Sequence, residues 1–196
     1  MKIGILGTGN VGGRLFKLCR HADHDVIAGS RSGETSFLTA AQHGDVVVLA
    51  THYHVAAEVL SPLRGALAGK ILVDATNPLK DDWSPLLLGQ ENSAGEEIAK
   101  LLPDSQVVKA FNTVFADIMT PEGLTRGGAK AATFVAGDAP DAVKSVADFA
   151  NSLGFEAEGI NTLSAAGYLE GLAHLNIRLA VGEGGGTNAA FLYHRG

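Results

Sequence analysis

The chain has 196 residues, 46% of them hydrophobic and 18% charged, with a formal net charge of −6. That length builds one well-buried domain, and that composition excludes a disordered chain. The acidic balance, with no basic run to neutralise phosphates, argues against a dedicated nucleic-acid binder.

In chain order, Lys2–Leu6 (KIGIL) reads as a first strand, almost continuously apolar and therefore buried on both faces. The apolar run stops at Gly7 instead of extending into a secretory signal, which predicts a cytoplasmic protein. Val11, Leu15, Leu18 and Ala22 recur at helical spacing, so 10–22 is a helix with one stripe on the sheet. Cys19, the single cysteine, lies on that stripe; it excludes an internal disulfide and fits a reducing compartment. DVIAG at 25–29 is a second strand and DVVVLA at 45–50 a third. A helix is expected over 53–63, closed with the help of Pro62, and then a fourth strand, KILVDA, at 70–75.

A Thr76-Asn77-Pro78 turn leads into a polar loop, 80–92. Ser93 and Glu96 form a capping-box pattern that opens a helix to Leu102. Strands are expected at 106–110 and 131–136, separated by a short helical stretch and a loop at 121–130. A helix at 140–153, a short last strand at 155–159, a helix at 164–181 and an irregular tail at 182–196 complete the chain. No stretch reaches the ~18 apolar residues that cross a bilayer, and no linker divides the chain. Alternating strands and helices predict an α/β fold: a single doubly wound, mostly parallel Rossmann domain over 1–196 with a short C-terminal helical extension.

The chemistry begins at Gly7-Thr8-Gly9-Asn10-Val11-Gly12. A G-x-G-x-x-G run is weak evidence alone, but this one follows a strand and opens a helix, as a dinucleotide site requires. Gly7 allows the tight turn, Gly9 lets a pyrophosphate reach the backbone, and Gly12 lets helix and strand pack closely. The N–H groups near Asn10 and Val11 then face the anion at the positive end of the helix dipole. The second strand ends Gly29-Ser30-Arg31-Ser32. A NAD site places a carboxylate here for the ribose 2′-OH. Arg31 can instead pair with a 2′-phosphate while Ser30 and Ser32 donate hydrogen bonds, which favours NADP(H).

Open α/β sheets bind ligands beyond the carboxyl ends of their strands. That rule selects Thr51, His52, Tyr53, Asn77, Pro78, Phe111 and Asn112, each just after an expected strand. His52 and His54 lack a third ligand at metal-binding spacing, so no metal site is expected. No catalytic triad or carboxylate pair is present in the pattern either.

The combination of GTGNVG, GSRS, DATNP and VVKAFNTV, each placed after its strand, resembles the NADPH-dependent F420 reductase family over essentially the whole chain. It is also similar to the reductase domain of six-transmembrane metalloreductases. The resemblance implies hydride transfer between the nicotinamide and a deazaflavin (F420) or a flavin (FMN or FAD). It assigns Thr8, Gly9, Asn10 and Val11 to the pyrophosphate, and Ser30 with Arg31 to the 2′-phosphate. Thr51, His52 and Tyr53 would flank the nicotinamide ribose, Asn77 and Pro78 the nicotinamide, and Ala110, Phe111 and Asn112 the second ring. Two departures stand out: Ser32 replaces a second basic residue of some members, and Tyr53 replaces a Trp.

Two other functions fit parts of the pattern. A small-substrate dehydrogenase needs a large helical domain, and the stretch after the last expected strand is too short for it. A non-catalytic NADP(H) sensor would bind the cofactor without a second-ring site. The last helix carries Leu169, Leu172, Leu175, Ile177 and Leu179, more apolar surface than a small domain buries, and predicts a homodimer.

Overall fold

Strand β1 (Lys2–Leu6) lies inside a seven-stranded sheet because its two faces pack against different helices. Ile3 and Ile5 join the core formed with α1 (Asn10–His21), while Leu6 joins the opposite one. Gly4 must be glycine for the same reason: a Cβ there would lie 2.0 Å from the Ala40 carbonyl oxygen. Ala40 belongs to α2 (Phe37–His43), which follows β2 (Asp25–Gly29). That helix was not expected; Ser36 caps it by accepting a hydrogen bond from the Thr39 N–H at 3.1 Å.

The computed structural model describes residues 1–86 and 92–194. Strand β3 (Val46–Leu49) leads to a 3-10 turn at Tyr53–Val55 and α3 (Ala56–Leu60). The expected helix over 53–63 is thus broken into short pieces. A second 3-10 turn carrying Pro62 and a further helix, α4 (Arg64–Leu67), follow. β4 (Ile71–Asp74) precedes the expected loop 80–92, of which 87–91 lie outside the described residues. Its first part is a tight reversal in which the Leu86 N–H donates to Pro78 O at 2.9 Å.

The capping box forms as expected at the start of α5 (Ala94–Leu101), and β5 (Gln106–Lys109) follows. Within 121–130, expected as loop, β6 (Thr125–Arg126) and β7 (Ala129–Lys130) make a small hairpin. Gly127 and Gly128 turn it with φ of 56° and 84°. β8 (Ala132–Gly137), α6 (Pro140–Ser152), β9 (Glu156–Ile160) and α7 (Ala166–Ile177) complete the fold. A π-helical turn, Arg178–Gly182, extends α7. The tail beyond it, of which 195–196 lie outside the described residues, is irregular, yet the Ala132 N–H donates to Phe191 O at 2.8 Å.

The strand order is β2-β1-β3-β4-β5-β8-β9. Every pairing is parallel except β5 with β8. Residues of α1 and α6 pack on one face, and residues of α2 to α5 on the other, giving the doubly wound arrangement. Strand order reverses at β1, since β2 lies on one side of it and β3 on the other. The carboxyl ends of β1 and β3 therefore flank the crevice where such sheets bind ligands.

Candidate dinucleotide site

The glycine turn stands at that reversal. Gly7 has φ +125°, and a Cβ on it would lie 2.4 Å from Ala50 O, so the turn and the end of β3 touch backbone to backbone. A Cβ on Gly12 would lie 2.0 Å from Gly7 O. A Cβ on Gly9, by contrast, would meet nothing within 4 Å. Two of the glycines are demanded by the protein's own packing. The third opens onto a space where a ligand's backbone contact would be blocked by any side chain.

Gly9 is the N-cap of α1, with no side-chain cap and no acidic residue in the first turn. The first N–H groups of a helix have no partner within the helix. Those of Asn10, Val11 and Gly12 are left at the positive end of the dipole, which suits a pyrophosphate. A cleft of about 430 Å³ runs alongside, between α1 and β2, and meets the turn at Thr8 and Gly13.

At the end of β2, the Ser30 N–H donates to Thr35 O at 3.0 Å and folds the Ser30–Ser32 loop back towards α2. Arg31 and Ser32 are exposed and Ser30 is half-buried. The Arg31 guanidinium is not free: its Nη2 lies 3.1 Å from Glu58 Oε1 on α3.

Beyond β3, Thr51 is half-buried while His52 and His54 are exposed, their rings stacked at 5.5 Å. Among the described residues, no three metal-ligating side chains come together. Tyr53 is half-buried, and its hydroxyl pKa is raised, first by burial and then by the negative charges of Glu97, Glu170 and Asp74.

The ends of β4 and β5 are joined by side chains. Asn77 Nδ2 donates to Asn112 O at 2.8 Å, and Asn112 Nδ2 donates to Asn77 Oδ1 at 3.0 Å. Asn112 Nδ2 also lies 3.1 Å from Leu169 O, and Asn176 Nδ2 donates to Thr113 O at 3.1 Å. Helix α7 is thereby tied along the carboxyl edge. Pro78, Ala110 and Phe111 are buried. Phe111 has φ +64°, a strained conformation for a bulky residue. Its N–H donates to Thr133 Oγ1 at 3.1 Å, and its ring packs with Phe149 and Phe155 in the core. Of the 110–112 segment, expected at the second ring, only Asn112 puts a polar side chain at this edge.

Beneath the two asparagines lies a charged cluster outside the residues that the sequence pattern selects. Lys109 Nζ is 2.8 Å from Asp74 Oδ2 and 2.9 Å from Glu170 Oε1, with all three residues buried. It also donates to Thr76 O at 2.7 Å. Glu170 accepts the N–H groups of Ala94 and Gly95, filling the N-terminus of α5. Burial alone would lower the Lys109 pKa, but the two carboxylates outweigh it and hold the ammonium above its ordinary value. The available signal was a lone charge at the end of each apolar strand, Asp74 and Lys109, and a lone Glu in an apolar helix.

Five buried side-chain polar atoms among the described residues have no hydrogen-bond partner: Thr51 Oγ1, Thr76 Oγ1, Asn112 Oδ1, Thr113 Oγ1 and His174 Nε2. Four follow the ends of β3, β4 and β5, and the fifth is on α7. Unpaired buried polar atoms are rare in a protein interior, and here they gather at the edge where a ligand would supply partners.

A parallel sheet with a glycine turn at its strand-order reversal, opening an uncapped helix, defines a Rossmann-type dinucleotide-binding protein. The family model described as NADP oxidoreductase coenzyme F420-dependent matches residues 2–78. A crystal structure from Arthrobacter sp. FB24, assigned as an F420-dependent NADP reductase, superposes with a TM-score of 0.89 at 31% identity, covering 100% of both chains. The chain belongs to the F420-dependent NADP oxidoreductase family, a family of NADP-dependent oxidoreductases. The F420-dependent NADP reductase of Methanocaldococcus jannaschii is 29% identical over 92% of this chain and 93% of its own. Metalloreductase STEAP3 of Rattus norvegicus is 28% identical over 87% of this chain, which spans 36% of that longer protein. No helix among the described residues is long and apolar enough to cross a membrane.

Proposed function

We infer that this chain transfers hydride between NADP(H) and a deazaflavin or flavin acceptor, with F420 as the first candidate and FMN or FAD as the others. The observation that carries the reading is the set of unpartnered polar atoms around the ends of three adjacent strands, directly beside the glycine turn. When bound, the nicotinamide supplies or receives the hydride. Such chemistry needs two rings held face to face at ~3–3.5 Å more than it needs an acid or base.

The N–H groups of Asn10, Val11 and Gly12, with Thr8, would hold the pyrophosphate. Ser30, Arg31 and Ser32 would take the 2′-phosphate. Thr51, His52 and Tyr53 would border the nicotinamide ribose, and Asn77 and Pro78 the nicotinamide. Asn112, fixed by Asn77 and Leu169, would line the acceptor side. Tyr168, Leu175 and Leu179 are large apolar side chains left exposed on α7 and the π-turn, at 82%, 51% and 49%. This stripe supports a homodimer, with a second copy covering it. The single buried thiol supports a reducing compartment such as the cytoplasm.

The test is NADPH or NADH oxidation, followed by absorbance at 340 nm, with F420, FMN, FAD or a ferric chelate as acceptor. NADPH with F420 is expected to be fastest. A flat trace with every acceptor, from protein that still binds NADPH, would overturn the catalytic reading in favour of a sensor.

A further inference from the structure

Arg31 follows β2 and Glu58 sits on α3 after β3, and those strands flank β1 on either side. Their 3.1 Å ion pair therefore bridges across the carboxyl end of the strand that carries the glycine turn. The side chains are 66% and 69% exposed, which decides the character of the contact: it is a screened surface pair, weak enough to break when a stronger anion arrives.

We propose that Glu58 is a specificity-determining residue that competes with the cofactor 2′-phosphate for Arg31. The proposal rests on the NADP(H) reading of the site. A bidentate phosphate contact uses two parallel N–H donors of the guanidinium, and the Nη2 that faces Glu58 is one of the donors it would draw on. A phosphomonoester carries about −1.5 to −2 charge at neutral pH and displaces a single carboxylate. The displaced Glu58 carboxylate stays tethered to α3, close to the incoming phosphate, and repels it. NADH lacks the phosphate and leaves the pair intact. Glu58 thus holds Arg31 in place when no 2′-phosphate is there, and reduces the preference for NADPH below what Arg31 alone would give.

The experiment measures NADPH and NADH dissociation constants by nicotinamide fluorescence for the wild type, Glu58→Gln, Arg31→Ala and the double variant. Glu58→Gln is expected to tighten NADPH about two- to fivefold at low salt and to leave NADH unchanged. The gain should fade as salt screens the charges and vanish in the Arg31→Ala background. An equal change for both cofactors, or an undiminished gain without Arg31, would overturn the proposal. A different outcome would strike the underlying reading instead: wild-type protein binding NADH as tightly as NADPH, with Arg31→Ala altering neither. The proposal would then fall with it.

Discussion

Lys109 and Asp74 form an ion pair of 2.8 Å at the adjoining ends of two parallel strands, with no solvent exposure on either residue. Glu170 shares the ammonium from α7, so three charges from three elements meet in the interior. Removing one partner strands a buried charge, and Lys109→Met is expected to cost about 3–5 kcal/mol. Urea unfolding checks this; a loss under 1 kcal/mol would show that the network is loosely held.

The same pair sets a pH limit. The folded Lys109 pKa lies above its ordinary value of 10.5, so the folded protein retains a proton that the unfolded chain releases. Its contribution to stability is then complete below about 10.5 and is lost as pH rises through the folded value. Melting temperatures between pH 9 and 12 should fall more steeply for the wild type than for Lys109→Met.

The glycines separate folding from binding. Gly9→Ala meets no protein atom, so stability should change by no more than about 1 kcal/mol while NADPH affinity falls at least about tenfold. Gly12→Ala collides with Gly7 O and should lower both. Paired thermal melts and NADPH titrations distinguish the two variants. Equal behaviour would mean that Gly9 and Gly12 do not divide binding from packing.

Cys19 gives a simple chemical check. Burial pushes its thiol up to about 12. Ellman's reagent at pH 8 should label nothing in the native protein and one thiol after denaturation, because the thiolate is the reactive form. Rapid native labelling would mean that α1 opens readily.

The stripe on α7 predicts a dimeric mass by light scattering at micromolar concentration. Leu175→Glu, placing a charge at an exposed position in that stripe, should give the monomer without loss of fold.

What could be read from the chain follows the range of the interactions. The first strand, the glycine turn and α1 are local patterns, and their boundaries were legible to within a residue. The capping box of α5 was legible for the same reason. Helix α2 was missed because seven residues with Leu38 exposed carry too little periodicity; Ser36 before it was the sole cue. The Asp74–Lys109–Glu170 cluster joins residues far apart in sequence, and no local period encodes that. The resemblance assigns Phe111 to the second ring; its left-handed backbone directs the aromatic side chain toward Phe149 and Phe155 in the core, which no local pattern encodes. Arg31 stands out in the chain as the cation after the second strand, whereas its ion-pair partner Glu58 does not, since an exposed helical Glu looks like any other.

The antiparallel pairing of β5 with β8 has a consequence for how the chain was assembled. The β8–α6–β9 unit is inverted, so the loops after its strands open on the far side of the sheet from the glycine turn. That unit widens the scaffold and meets the candidate site only at the start of β8, where Thr133 Oγ1 accepts the Phe111 N–H. Helix α7, running back along the edge with Glu170, Leu169 and Asn176, gives the last third of the molecule a second hold on the site. The segment between β9 and α7 is itself packed, with Leu163 and Ala165 buried and the Leu163 N–H donating to Asp138 Oδ1 at 2.7 Å, so an insertion there should displace α7, uncover the buried ammonium and take away one wall of the crevice.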